Sequence, residues 1–152
     1  MATVNRSAEP TRVELGAFVL RLSLGVMFIA HAGLKYFVFT LPGTAQFFVS
    51  LGLPSALAYF TFGAELVGGI LLLLGVYSRY VALALVPILL GATWAHVGNG
   101  WTFSAPNGGW EYPAFLSVAA IVQYLIGDGV FALRRSERAT RVRPLSTVRA
   151  AA

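Results

Sequence analysis

The chain has 152 residues, of which 57% are hydrophobic and only 11% are charged, whereas ordinary soluble domains carry about 25% charged residues. This composition excludes a soluble globular domain and favours a membrane protein with a single domain. The net charge of +5 comes from arginines beside an apolar run, a position that sets topology and contacts anionic lipid rather than nucleic acid. The absence of cysteine excludes disulfide exchange and cysteine-ligated metal or iron–sulfur sites in this chain.

Four apolar runs occupy residues 13–37, 57–76, 80–97 and 113–133. Each run is about as long as a helix that crosses the hydrocarbon core of a bilayer. We therefore expect an all-α polytopic fold, a bundle of four transmembrane helices over residues 13–133, flanked by cytoplasmic tails at residues 1–12 and 134–152. A cleaved signal peptide is excluded for the first run, because the run is too long and contains Arg21.

The two segments that join these helices on the far side differ in character. Residues 40–54 contain the apolar stretch 45–51 followed by Gly52 and Pro54, which predicts a short interfacial helix between helices one and two. Residues 98–110 are rich in glycine and tryptophan. They are predicted to form an aromatic belt at the membrane surface, with a lid over a pocket as the second interpretation.

The positive charges indicate the orientation of the bundle. With four spans, one side carries nine arginines, whereas the other side carries a single cation, Lys35. The positive-inside rule therefore places both termini in the cytoplasm. The nine are Arg6, Arg12, Arg79, Arg134, Arg135, Arg138, Arg141, Arg143 and Arg149.

Two charged residues lie in the cytoplasmic half of the predicted spans. Arg21 lies about two helical turns inside helix one, and Asp128 about 8 Å from the cytoplasmic end of helix four. We expect Arg21 and Asp128 to form a structural pair. There are two alternatives. The Arg21 side chain could extend to the cytoplasmic membrane surface, or it could form a hydrogen bond with Gln123.

The outer half carries the candidate catalytic residues Glu65, His31 and Lys35. His31 and Lys35 are four residues apart and share one face of helix one. Glu65 lies about 12 Å inside helix two, where an unpaired carboxylate is costly. Gly68 follows it on the same face and permits a close neighbouring helix. We expect Glu65 to contact His31 or Lys35, either as a structural salt bridge or as a group that relays protons or binds a polar ligand.

His96 and Trp94 lie near the outer end of helix three. Two histidines on different helices raise the alternative of bis-histidine haem ligation, which is the weaker candidate because their depths differ by about one helical turn. A hydrogen bond from His96 to water or to Glu111 is the simpler expectation. No metal site is predicted.

Six short motifs together resemble the DoxX family of small four-helix bacterial inner-membrane proteins, over residues 13–133. They are Arg21-x-x-x-Gly25, His31-Ala32-Gly33-Leu34-Lys35, Leu41-Pro42-Gly43-Thr44, Leu51-Gly52-Leu53-Pro54, Glu65-x-x-Gly68-Gly69 and Asn107-Gly108-Gly109-Trp110-Glu111-Tyr112-Pro113. Family members often place glycine directly after the helix-one histidine, where this chain has Ala32. The resemblance implies an association with quinone-linked oxidation beside other redox enzymes. It also implies a polar site at Arg21, His31, Lys35, Glu65 and Glu111.

The first functional hypothesis is therefore an integral membrane subunit of a redox system that acts with a protein partner. Its candidate cofactor is a quinone near His31 and Lys35, and Glu65 would take or relay protons. The chain is predicted to lie in a lipid bilayer, and it could form oligomers there. The proposed cofactor-binding residues are His31, Lys35, His96, Trp94, Trp101, Trp110 and Glu111. The alternative is a non-enzymatic membrane adaptor or assembly factor, and a small-solute or proton pathway ranks third.

Overall fold

The computed structural model describes residues 9–136, so most of the two predicted tails, residues 1–8 and 137–152, lies outside the described residues. The described residues form five α-helices and no strand: α1 (Arg12–Gly33), α2 (Leu41–Ser50), α3 (Ala56–Leu74), α4 (Ser78–His96) and α5 (Glu111–Ile126). A π-helical turn, Leu34–Val38, extends α1, and a 3-10 turn, Val97–Asn99, extends α4. The predicted all-α membrane bundle is confirmed, including a short helix between the first two long ones.

Local sequence explains where α1 and α2 begin. Thr11 caps α1, because the Glu14 N–H donates to Thr11 Oγ1 at 3.2 Å while Glu14 Oε2 accepts from the Thr11 N–H at 3.0 Å. Thr40 caps α2 in the same way, accepting from the Gly43 N–H at 3.2 Å, and Pro42 occupies the first turn, where no N–H is needed.

Three helical segments are long and apolar enough to cross a membrane: Arg12–Val38, Ala56–Leu74 and Ser78–Asn99. The fourth apolar helix, Glu111–Ile126, has 16 residues and so spans about 24 Å. By length and composition the chain is a multi-pass membrane protein.

The helices pack as two close pairs, α1 with α3 and α4 with α5. A core of Leu24, Phe28, Leu72, Leu85 and Leu116 lies between the pairs.

Two glycines on α3 explain how closely its neighbours approach. A Cβ added to Gly69 would lie 3.0 Å from the Gly25 carbonyl oxygen of α1, and one added to Gly68 would lie 2.8 Å from the Leu85 side chain of α4. The close approach predicted from the small residues after Glu65 is therefore confirmed.

Backbone hydrogen bonds place three segments at one end of the bundle. The Val130 N–H donates to the Glu14 carbonyl at 3.3 Å, and the Tyr77 N–H donates to the Arg134 carbonyl at 2.8 Å. The start of α1, the α3–α4 connection and the segment after α5 thus lie together. We call this the arginine end, after Arg12, Arg79, Arg134 and Arg135; the opposite one is the Lys35 end.

The prediction that the fourth helix continues to residue 133 is wrong. The helix ends at Ile126, and Gly127, Gly129 and Phe131 then take positive φ angles of 93°, 71° and 55°. Residues 127–136 instead fold across the arginine end. The physical reason is that Gly127-Asp128-Gly129 breaks the helix, while Val130, which is 6% exposed, packs on the bundle.

Candidate functional site

Lys35 and Glu65 form an ion pair between the end of α1 and the middle of α3. The Lys35 Nζ donates to Glu65 Oε2 at 2.7 Å and to Glu65 Oε1 at 2.9 Å. The Glu65 carboxylate is buried, with 6% of the residue exposed. The predicted contact between Glu65 and helix one is thus formed with Lys35, and both carboxylate oxygens are occupied by it.

The π-helical turn carries Lys35. The Phe39 N–H donates to the Leu34 carbonyl at 2.9 Å, a five-residue step that widens this turn relative to an α-helix. Such turns are frequent at functional sites. Here the turn is the local structure from which Lys35 reaches across to α3.

His31 is one turn before Lys35 and has a defined tautomer. Its Nδ1–H donates to the Met27 carbonyl at 2.8 Å, and a carbonyl can only accept. Nε2 therefore has no hydrogen when the ring is neutral. No residue within 9–136 hydrogen-bonds to Nε2. The ring lies close enough to Glu65 for an electrostatic attraction.

Tyr112 adds a residue that the sequence analysis did not select. Its ring stacks on His31 with 5.6 Å between centroids and a 20° interplanar angle. Its hydroxyl is buried and has no hydrogen-bond partner among residues 9–136. A buried hydroxyl without a partner costs free energy, so this position invites a ligand oxygen or a water. The available signal was its place between Glu111 and Pro113 in the last family-like motif.

An open groove of about 530 Å³ lies beside Tyr112 on the exposed side of α5. Its walls are mostly aromatic and apolar: Trp101, Phe103, Glu111, Tyr112, Ala114, Phe115 and Val118. Glu111 Oε1 accepts from the Phe103 N–H at 2.7 Å, which fixes the loop against α5. Tyr112 is thus common to the groove and to the His31 stack.

Three other residues selected from sequence differ in their position: Trp110 lies beside the groove, whereas Trp94 and His96 do not line it. Trp110 meets Trp101 edge to face, with 4.5 Å between centroids, so it supports the groove wall. Trp94 is 57% exposed on α4 and does not line the groove. His96 donates from Nδ1 to the Ala92 carbonyl at 2.8 Å, and the edge of its ring faces Gly108.

Arg21 and Asp128 do not form the predicted pair. The fully buried Arg21 guanidinium donates to three carbonyls, those of Leu72 at 3.2 Å, Val130 at 3.2 Å and Phe131 at 3.4 Å. These are carbonyls at the end of α3 and in the segment after α5. The prediction failed because the helix stops before Asp128, which brings backbone oxygens rather than the carboxylate to the guanidinium.

Asp128 instead organises the start of α4. Its Oδ1 accepts from the Arg79 N–H at 3.0 Å, and its Oδ2 accepts from the Ser136 N–H at 2.6 Å. Gln123, the alternative partner for Arg21, donates to the Gly127 carbonyl at 2.6 Å. Arg21, Gln123 and Asp128 together hold residues 127–136 against the arginine end.

Comparison with known proteins covers five of the six motifs that resemble the DoxX family, and the sixth, residues 107–113, lies beyond the matched residues. The family model DoxX matches residues 16–98, which include Arg21, His31, Lys35 and Glu65 and exclude Tyr112. A Bacillus subtilis (strain 168) protein named "Putative oxidoreductase CatD" is 42% identical over 79 residues, which are 52% of this chain and 58% of that protein. The match therefore spans little more than half the length of that relative. No solved structure matches. Because the family model covers more than half of the chain, this protein belongs to the DoxX family.

Proposed function

We propose that this protein is the membrane subunit of a redox system and binds a quinone at the Lys35 end of the bundle. The observation that carries the proposal is the buried Lys35–Glu65 ion pair with His31 and Tyr112 beside it. Ionisable groups inside a membrane span are expensive and are retained mainly where they work or pair. Family membership and a relative whose name includes "oxidoreductase" support the redox assignment.

Each polar side chain has a role that follows from its free atoms. Lys35 uses two N–H groups on Glu65 and keeps one to donate to a ligand carbonyl. His31 Nε2 can accept the proton of a ligand hydroxyl, because Nδ1 is held by Met27. Glu65 stabilises the positive charge on Lys35, which donates to both of its oxygens, and each oxygen keeps a lone pair through which it can take or relay a proton.

The groove suits the rest of a quinone. A planar ring fits an aromatic wall formed by Trp101, Tyr112 and Phe115, and an apolar tail would lie along the exposed apolar residues of α5, Phe115 and Val118. The buried Tyr112 hydroxyl can donate to a ring oxygen that reaches it. A bound quinone would supply two-electron, two-proton carrier chemistry.

A partner protein would carry the electrons to or from this site. The chain has no cysteine and therefore no ligands for an iron–sulfur cluster of its own. Haem ligation by His31 and His96 is the weaker option, although each histidine leaves Nε2 available. We place the protein in the bacterial inner membrane with the arginine end in the cytoplasm.

The adaptor hypothesis rests on a different feature of the same pair. Lys35 and Glu65 tie α1 to α3, and a purely structural tie would serve a non-enzymatic assembly factor equally well. The two hypotheses differ in whether anything binds the groove.

Tryptophan fluorescence can test binding, because Trp101 lines the groove and Trp94 does not. A short-tail quinone titrated into the purified protein should quench the emission saturably. The Trp94→Phe variant should keep this saturable quenching, whereas Trp101→Phe should reduce it and leave the part that comes from Trp110, which contacts Trp101. Quenching that is unsaturable, or equal in both variants, would show partitioning into detergent and would favour the adaptor.

A further inference from the structure

Two guanidinium groups at the arginine end each lie over a tyrosine ring. The Arg79 guanidinium carbon is 4.8 Å from the ring centroid of Tyr124, and that of Arg134 is 4.9 Å from the ring centroid of Tyr77. Cation–π contacts of this kind hold a guanidinium in place while its N–H groups remain free to donate.

The fold, rather than a loose tail, fixes both arginines. The Arg79 N–H donates to Asp128 Oδ1 at 3.0 Å in the first turn of α4. The Arg134 N–H donates to the Gly75 carbonyl at 3.0 Å, and its carbonyl accepts from Tyr77 at 2.8 Å. The backbone of Arg134 is therefore bonded through its N–H and its carbonyl to the α3–α4 connection, and Tyr77 in that connection is two residues before Arg79.

These cations lack an acidic partner within residues 9–136. The one salt bridge there joins Lys35 to Glu65, at the other end of the bundle. The Asp128 carboxylate is buried, and its oxygens accept from the backbone of Arg79 and from the N–H and hydroxyl of Ser136. In addition, Arg79 Nε is buried without a hydrogen-bond partner. The site thus offers donors and positive charge, and its one described carboxylate, Asp128, forms no salt bridge with either guanidinium.

Exposed apolar side chains lie within three residues of Arg79 or Arg134 in the sequence. Phe131 and Leu133 are each 73% exposed, and Tyr80 is 51% exposed. A soluble anion would gain nothing from such neighbours, whereas a lipid places its phosphate beside its own acyl chains. Guanidinium groups bind phosphate with paired, charge-assisted hydrogen bonds. Basic pockets on the cytoplasmic side of helix bundles suit anionic head groups.

We propose that Arg79 and Arg134 form a binding site for the phosphate of an anionic phospholipid. The phosphate accepts from both guanidiniums, Tyr77 and Tyr124 support them, and the acyl chains lie along Phe131 and Leu133. This site is independent of the redox proposal, because it lies at the opposite end of the bundle.

The site can be tested on the full-length protein by native mass spectrometry and thermal unfolding. The probes are phosphatidylglycerol, phosphatidylcholine and inorganic phosphate. Phosphatidylglycerol should stay bound and raise Tm, whereas phosphatidylcholine and inorganic phosphate should do neither. Each guanidinium removed should weaken phosphatidylglycerol binding about fivefold, so Arg79→Gln/Arg134→Gln should weaken it about 25-fold.

Arg12→Gln is the matched control, because it removes the same charge from the same end without a tyrosine contact. Arg134→Gln alone covers the case in which the double variant does not fold, since the Arg134 side chain is exposed. The proposal fails if Arg12→Gln weakens binding as much as Arg134→Gln, which would indicate non-specific surface charge. It also fails if inorganic phosphate stabilises the protein as well as the lipid does.

Discussion

Among single residues, Glu65 carries a charge that is costly to bury. Its carboxylate is buried among apolar residues, and its charge is balanced by Lys35 at 2.7 Å. Removing one partner of such a pair leaves the other charge unpaired in a medium of low dielectric. The pair therefore affects stability chiefly when one partner is removed, because the remaining unpaired charge lowers the free energy of unfolding.

Glu65→Gln should lower the free energy of unfolding by about 3–5 kcal/mol, because it leaves the Lys35 ammonium unpaired. The measurement is thermal or denaturant unfolding in detergent. The double variant Lys35→Met/Glu65→Gln is the control and should recover much of the loss, since it removes the orphaned charge. Equal destabilisation of the single and double variants would contradict a coupled pair.

Tyr112 is the residue that separates ligand binding from packing. Tyr112→Phe keeps the ring that stacks on His31 and removes only the buried hydroxyl, which has no partner within residues 9–136. Stability should therefore change little or improve, while quinone affinity should fall by about 5- to 10-fold, the value of one hydrogen bond. Titration of the fluorescence quenching measures the affinity, and unchanged affinity would remove Tyr112 from the site.

At the level of helices, the α1–α3 contact depends on two facing glycines. A methyl group on Gly69 would lie 2.8 Å from Ile29 Cγ1 and 3.0 Å from the Gly25 carbonyl oxygen. On the same helix, Gly63 has nothing within 4 Å of an added Cβ. The two positions share a helix and a residue type and differ in their neighbours.

Gly69→Ala should lower the free energy of unfolding by about 1–3 kcal/mol, because α1 and α3 must separate. Gly63→Ala should be neutral or slightly stabilising, since alanine favours the helix by about 0.5–1 kcal/mol. Thermal unfolding of both variants in one detergent is the measurement. A stable Gly69→Ala protein would mean that the helices are not in this close contact.

Residues 127–136 form the element whose position depends on a buried arginine. Arg21→Met replaces the arginine by a shorter, unbranched apolar side chain and leaves the carbonyls of Leu72, Val130 and Phe131 without their donor. Losing these bonds, at a total cost of about 1–3 kcal/mol, should raise the open population of this segment about 5- to 150-fold. Limited trypsin cleavage after Arg134 should accelerate accordingly, whereas Arg12→Met should leave that cleavage rate unchanged.

Sequence reasoning reached the helices and the Lys35–Glu65 contact because both follow from depth and periodicity. It did not reach the end of α5, since Val130, Phe131 and Leu133 are as apolar as a span and composition does not distinguish a helix from a folded-back segment. The partners of Arg21 were missed for a related reason: backbone carbonyls are present at every residue and leave no signal in a sequence. Tyr112 became notable only through its unpartnered hydroxyl.

For the whole molecule, the distribution of charge predicts the orientation in the membrane. The described arginines outside the spans lie at one end, with Lys35 at the other. Reporter fusions after Ala152 and within residues 99–107 test this directly. A reporter that works only in the cytoplasm should be active when it is fused after Ala152. A reporter that works only outside the cytoplasm should be active when it is inserted within residues 99–107. The reverse pattern would overturn the orientation.

The central claim is that a quinone binds at the Lys35 end, between the groove and His31. Photo-crosslinking with a quinone that carries a photoreactive head group, followed by peptide mass spectrometry, tests it most directly. The account predicts labels on the segments that contain Trp101 and Tyr112, lost on competition with unlabelled quinone and weakened by His31→Gln. Labelling confined to the surroundings of Arg21 and residues 127–136 would contradict it.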